Sequence, residues 1–200
     1  MKATSSLILL LVLSLTSCWE FNNPYLTAFP NAQTQEWLDQ YIDHFNYNSN
    51  ATFKQRYYIL NDFYSAGGPA YLYICGEAEC KGISNTTWLA EIARRTNGVI
   101  FALEHRYYGK SMPFGNQSME DKNLKYLNSE QGLSDLAYFI QFANKNKISG
   151  VNSQTKWITV GGSYAGAMSA WFRSKYPHLT VGAIGSSGVV LAVEDFKAFD

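Results

Sequence analysis

The chain has 200 residues, and its 16 lysines and arginines balance 16 aspartates and glutamates. A formal charge of zero argues against nucleic-acid binding, which needs a basic surface to displace counterions. A chain that is 46% hydrophobic and only 16% charged is not intrinsically disordered, and three cysteines are too few for a disulfide-dense miniprotein.

In chain order, residues 1–18 read as a secretory signal peptide. Lys2 precedes the apolar run Leu7–Leu15, and the small residues Thr16 and Ser17 follow it. A membrane span needs about 20 apolar residues, so this run is too short to be an anchor. The alternative is a bacterial lipoprotein box, Leu15-Thr16-Ser17-Cys18, lipidated on Cys18. Residues 19–51, polar and aromatic with Pro24 and Pro30, read as an irregular N-terminal arm.

Residues 52–200 form the main body. Thr52–Leu60, rich in β-branched and aromatic residues, predicts a strand. Ala70–Cys75 and Val99–Leu103 are short, wholly apolar runs that suit strands buried on both faces. Between them, Thr86–Thr96 predicts a helix with Trp88, Leu89, Ile92 and Ala93 on its inner face, stopped by Asn97-Gly98. Glu104–Asn128 reads as a long loop. Asn128–Ala143 predicts the strongest helix, with an inner face of Leu133, Leu136, Ala137 and Ile140. Asn128 and Gln131 resemble a capping box. Trp157–Val160 predicts a strand, Ala165–Tyr176 a helix, and Val181–Ser186 a last strand. Strands alternating with helices imply a parallel sheet with helices on its faces.

Two other groups carry local signals. Cys75 and Cys80 bracket a short loop and fit a small disulfide in an oxidising compartment, the alternative being two buried free thiols. No metal site is expected, because no histidine–cysteine pair has zinc-like spacing. Asn50, Asn85 and Asn116 each head an Asn-x-Ser/Thr glycosylation triplet.

The sharpest motif is Trp157-Ile-Thr-Val-Gly-Gly-Ser-Tyr-Ala-Gly166. A serine between a strand and a helix, with small residues two positions away on each side, fits the nucleophile elbow of α/β hydrolases. Gly161 and Ala165 hold those positions, and the helix start favours developing negative charge. The bland alternative is a glycine-rich turn with an incidental serine. One oxyanion donor is expected to be the backbone N–H of Tyr164. The second is expected from the loop after an earlier strand, here Gly76-Glu77. The alternative for Glu77 is a loop carboxylate facing water.

Glu104-His-Arg-Tyr-Tyr-Gly-Lys-Ser111 and Pro113-Phe-Gly115 resemble the signature of the prolylcarboxypeptidase-type serine peptidases, the S28 family. Asp43-His-Phe45, Leu124–Gln131, Gly161–Gly166, Ala170–Phe172 and Lys175–Leu179 agree, in matching order over residues 37 to 195. The resemblance implies an α/β-hydrolase fold, incomplete here, running through the elbow and the next strand. It implies Ser163 as nucleophile of an exopeptidase that cleaves next to proline through an acyl-enzyme. It further implies a proline-containing peptide substrate, no cofactor, and a secreted or lysosomal (vacuolar) protein, with dimers known in the family. The Ala165 variant and the Gly76-Glu77 loop look nearer the thymus-specific branch.

The family's acid and base are expected far beyond Ser163, after which only 37 residues follow here. The one histidine among them, His178, lies about 20 Å along the chain if the stretch is helical, against a hydrogen-bond reach of about 3 Å. His105 sits between Glu104 and Arg106 and suggests a structural ion-pair cluster, and His44 lies in the arm. A serine without its base is a poor nucleophile, so these 200 residues by themselves are expected to be inactive. The rival reading is a catalytically silent, secreted binding protein on the same scaffold. An esterase or lipase is a third, since fold does not fix function.

Overall fold

Val99–Leu103 is apolar at every position because both of its faces are covered. It lies inside a six-stranded sheet in the computed structural model, which describes residues 33–191, 193–195 and 197. The expected signal peptide and residues 19–32 of the arm therefore lie outside the described residues. Among the described residues, no helix is long and apolar enough to cross a membrane.

The strands are β1 (Thr34–Tyr41), β2 (Thr52–Leu60), β3 (Ala70–Ile74), β4 (Val99–Leu103), β5 (Trp157–Gly162) and β6 (Gly182–Ser186), in the spatial order β1-β2-β4-β3-β5-β6. The first two pairings, β1 with β2 and β2 with β4, are antiparallel. From β4 through β3 and β5 to β6 the sheet is parallel. The helices are α1 (Trp88–Thr96), α2 (Asp121–Leu124), α3 (Ser129–Lys145) and α4 (Tyr164–Lys175).

Alternation along the strands sorts the core into two layers. Ile100 and Ala102 of β4, with Tyr71 and Val160, meet Leu89, Ala90 and Ala93 of α1. Val99, Phe101 and Leu103, with Leu72 and Ile74, meet Leu136, Phe139 and Ile140 of α3 and Met168 and Phe172 of α4. Phe101 stacks on Trp157 with centroids 5.2 Å apart, and Phe139 meets Phe101 edge-on at 5.6 Å.

Three expectations need correction. Part of the arm is the edge strand β1, paired residue for residue with β2 from Thr34 to Tyr41. Its outer face exposes Trp37 between Gln35 and Asp39 while its inner face buries Gln40 beside Leu38, so it carries no apolar alternation to reveal it. Trp88 is exposed, since α1 is capped one residue before it by Thr87 and turns Leu89, Ala90 and Ala93 inward. The capping box on α3 is half formed. Asn128 accepts from the Gln131 N–H at 2.9 Å, but the Gln131 side chain donates to Asp43 at 2.7 Å instead of folding back.

Candidate active site

The chain leaves β3 for β4 on one side, while β5 joins β3 on the other. Loops leaving the carboxyl ends of β3 and β5 therefore diverge and open a crevice, the usual ligand position in an open α/β sheet. The first of these loops carries Gly76 and Glu77, and the second carries Ser163.

Ser163 has φ 56° and ψ −127°, a left-side conformation that costs a non-glycine residue of order 1–3 kcal/mol. The surroundings enforce it. The Ser163 N–H donates to the Ser186 carbonyl at 2.9 Å, and its carbonyl accepts from Ala167 at 3.0 Å. The residue is exposed, and among the described residues no group hydrogen-bonds its hydroxyl. A Cβ on Gly161 would sit 2.1 Å from the Ala165 carbonyl oxygen, and one on Gly166 would sit 2.7 Å from that of Ser186. Backbone meets backbone at both places, so no rotamer change relieves the clash. Gly161→Ala is expected to cost about 3 kcal/mol or more in a denaturant titration, the upper range of overpacking.

Tyr164 opens α4, so its N–H has no intrahelical acceptor. Gly76 lies against the same turn, for a Cβ there would come 3.9 Å from the Ala165 Cβ. Cys75 and Cys80 are disulfide-bonded and close the loop carrying Gly76 and Glu77. Glu77 is exposed, and its charge reaches both His105 and Tyr164. The structure thus brings Ser163, Tyr164 and Gly76 together.

The histidines lie elsewhere. His178 is exposed beyond α4, and His44 pairs through Nε2 with Asp135 at 2.8 Å. His105 is buried, with Nδ1 at 2.7 Å from the Arg106 carbonyl and Nε2 at 3.2 Å from the Tyr164 hydroxyl. The expected ion-pair cluster around it exists in two halves. Glu104 accepts from Arg56 at 2.5 Å, Ser111 at 2.7 Å and the Cys80 N–H at 3.0 Å. Arg106 grips Asp135 with two bonds of 2.7 and 2.6 Å, and donates to the carbonyls of Tyr41, Ile42 and Tyr126. Sequence reading missed Asp135. The signal was there, since an aspartate sits between the inward Leu133 and Leu136 of α3.

Burial pushes the His105 pKa below its ordinary 6.5, with Arg106 adding to this while the Arg106 carbonyl, Asp135 and Glu77 oppose it. The folded protein therefore keeps this ring neutral to lower pH than the unfolded chain does. Below the unfolded value of about 6.5 the unfolded state binds the extra proton, so stability falls as pH drops. Denaturation midpoints measured from pH 7 to pH 5 should fall, and His105→Gln should flatten part of that slope.

Of the three glycosylation triplets, Asn50 and Asn116 are exposed. Asn85 is buried, which corrects the expectation there, because a glycan needs its amide nitrogen at the surface. Among the described residues, no group of three or more His, Cys, Asp or Glu side chains is placed to hold a metal ion.

A sheet of this order, with a strained serine at the carboxyl end of β5 and a helix behind it, defines an α/β hydrolase of the nucleophile-elbow type. The fold matches the crystal structure of a Bacteroides ovatus protein assigned as a dipeptidyl aminopeptidase IV. The TM-score is 0.56 at 15% identity, covering 84% of this chain and 23% of that one. Residues 40–200 match the family described as serine carboxypeptidase S28, and the chain belongs to that family. It is 45% identical over 170 residues to "Probable serine protease EDA2" of Arabidopsis thaliana, covering 82% of this chain and 34% of the relative. Over 186 residues it is 38% identical to the lysosomal Pro-X carboxypeptidase of Bos taurus, covering 88% and 37%. The chain thus spans about a third of the length of these relatives.

Proposed function

We propose that this chain carries the nucleophile-bearing part of a serine exopeptidase that cleaves peptides next to proline. Ser163 attacks the scissile carbonyl and forms an acyl-enzyme, which water then hydrolyses. The Tyr164 N–H, together with a backbone N–H of the Gly76-Glu77 loop, receives the oxyanion, and the positive end of α4 faces the same charge. The observation that carries this reading is the exposed Ser163 hydroxyl on a strained bend that Gly161 and Gly166 make room for.

The base is not supplied by His44, His105 or His178, which are respectively paired, buried against Tyr164 and remote in exposed chain. We place the acid and base in the two thirds of the relatives' length that this chain does not span. The Pro-X carboxypeptidases among those relatives support a proline-directed substrate and a secreted or lysosomal location.

The test is fluorophosphonate labelling of the full-length protein, followed by peptides with proline next to the last or first residue. Labelling at Ser163 with turnover of either peptide set is expected, and the set that turns over separates carboxypeptidase from dipeptidyl peptidase. A full-length protein without a Ser163 adduct would instead be the silent scaffold.

A further inference from the structure

The chemistry above leaves His105 without a task, although its setting is built with care. Its flanks are immobile, because Glu104 is held by Arg56 and Ser111, and Arg106 by Asp135. A carbonyl only accepts, so the Nδ1 that meets the Arg106 carbonyl at 2.7 Å carries the hydrogen. In the neutral ring, Nε2 is then a lone-pair acceptor, and the Tyr164 hydroxyl 3.2 Å away donates to it. Burial pushes the Tyr164 phenol up to about 12, so it remains a donor throughout the neutral range.

The ring is also held from its sides. Tyr108 meets it edge-on at 5.4 Å, and Tyr164 meets it tilted at 5.6 Å. Beside it lies Gly132 of α3. A Cβ there would approach both His105 Nε2 and the Met168 terminal methyl to 3.0 Å. A glycine inside a helix costs about 1 kcal/mol relative to alanine. Here it leaves the room in which Nε2 meets Tyr164.

We propose that His105 is a positioning residue for the reaction, fixing through Nε2 the side chain of Tyr164 and with it the peptide that follows Ser163. This rests on the reading of Ser163 as nucleophile and of the Tyr164 N–H as oxyanion donor. Tyr164 is tethered at both ends, by the strained Ser163 bend at its backbone and by a buried imidazole at its hydroxyl. Its N–H therefore points to one place before substrate arrives. Loosening it lowers the stabilisation of the developing oxyanion and leaves ground-state binding alone.

The experiment compares kcat and KM of the full-length protein, on a proline-containing chromogenic peptide, for His105→Phe, Tyr164→Phe, the double variant and His105→Gln. Each phenylalanine variant should lower kcat about tenfold, the worth of one neutral hydrogen bond, with KM unchanged. The double variant should fall no further than either single one, because both delete the same bond. His105→Gln should recover most of the loss, since its amide oxygen reaches the Nε2 position. Should His105→Phe not fold, Tyr164→Phe carries the comparison, because it keeps the ring and removes one hydroxyl.

Wild-type kcat in the phenylalanine variants, additive losses, or a change confined to KM would overturn the positioning role while Ser163 labelling stands. Absence of Ser163 labelling in the wild type would remove the nucleophile reading, and the positioning role with it.

Discussion

Ser163→Ala should abolish fluorophosphonate labelling and lower peptide turnover by about 10⁴-fold or more in the full-length protein, the scale of losing a serine nucleophile. Its fold should survive. The side chain is exposed and caps no helix bond, so alanine removes no contact that holds the bend. Alanine also inherits the same unfavourable φ of 56°, so the strain is unchanged. Ser163→Gly separates the two properties. It should be equally inactive yet more stable than alanine by about 1 kcal/mol, because glycine occupies positive φ without penalty. Melting curves of both variants beside the wild type check this. Labelling retained in Ser163→Ala would place the nucleophile at another residue.

The largest loss of stability should follow Asp135→Ala. Asp135 and Arg106 are about 1% and 0% exposed, and the two bonds between them are 2.7 and 2.6 Å long. Removing one partner strands the other charge in the core at a cost of about 3–5 kcal/mol. Asp135 also accepts from His44 at 2.8 Å, and the freed Arg106 would still hold three carbonyls. Replacing both by apolar residues, Asp135→Leu with Arg106→Met, should cost less than Asp135→Ala alone, because no lone charge remains. Chemical denaturation of the three variants gives the comparison.

The pH dependence of this pair follows from its geometry. Burial would raise the Asp135 carboxyl, but the Arg106 guanidinium and the His44 bond outweigh it and hold it below the ordinary 3.8. The pair's contribution is therefore complete above that value and is lost as pH falls through the lower, folded one. The loss traced to His105 begins earlier, below about pH 6.5. Two separate steps in acid denaturation should result, and Asp135→Ala should remove only the more acidic one.

Much of this was readable without coordinates. Wholly apolar runs state a strand covered on both faces: Val99–Leu103 is a strand over those residues, and the run Ala70–Cys75 is one from Ala70 to Ile74. The helix spacing of Leu133, Leu136 and Ile140 shows α3 and its inner face, with the ends one and two residues from the expected Asn128–Ala143. These signals are local, since burial periodicity is written into neighbouring residues. β1 was illegible for the opposite reason. Its buried polar residue is satisfied by a partner far along the chain, for Gln40 donates to the Asp135 carbonyl at 3.3 Å, 95 positions away. Trp88 misled because apolarity alone does not say which way a helix face turns.

The sequence by itself determined that a serine stands between a strand and a helix, with the small residues Gly161 and Ala165 where larger side chains would collide. That follows from chain connectivity and steric size, both local. Only the tertiary structure decided what surrounds it. It laid Gly76 against the first turn of α4 and joined Arg106 to Asp135 across 29 positions of sequence. It also set His105 against the hydroxyl of Tyr164, 59 positions along the chain. Those meetings depend on the order in which strands cross within the sheet, and no local pattern of residues records that order.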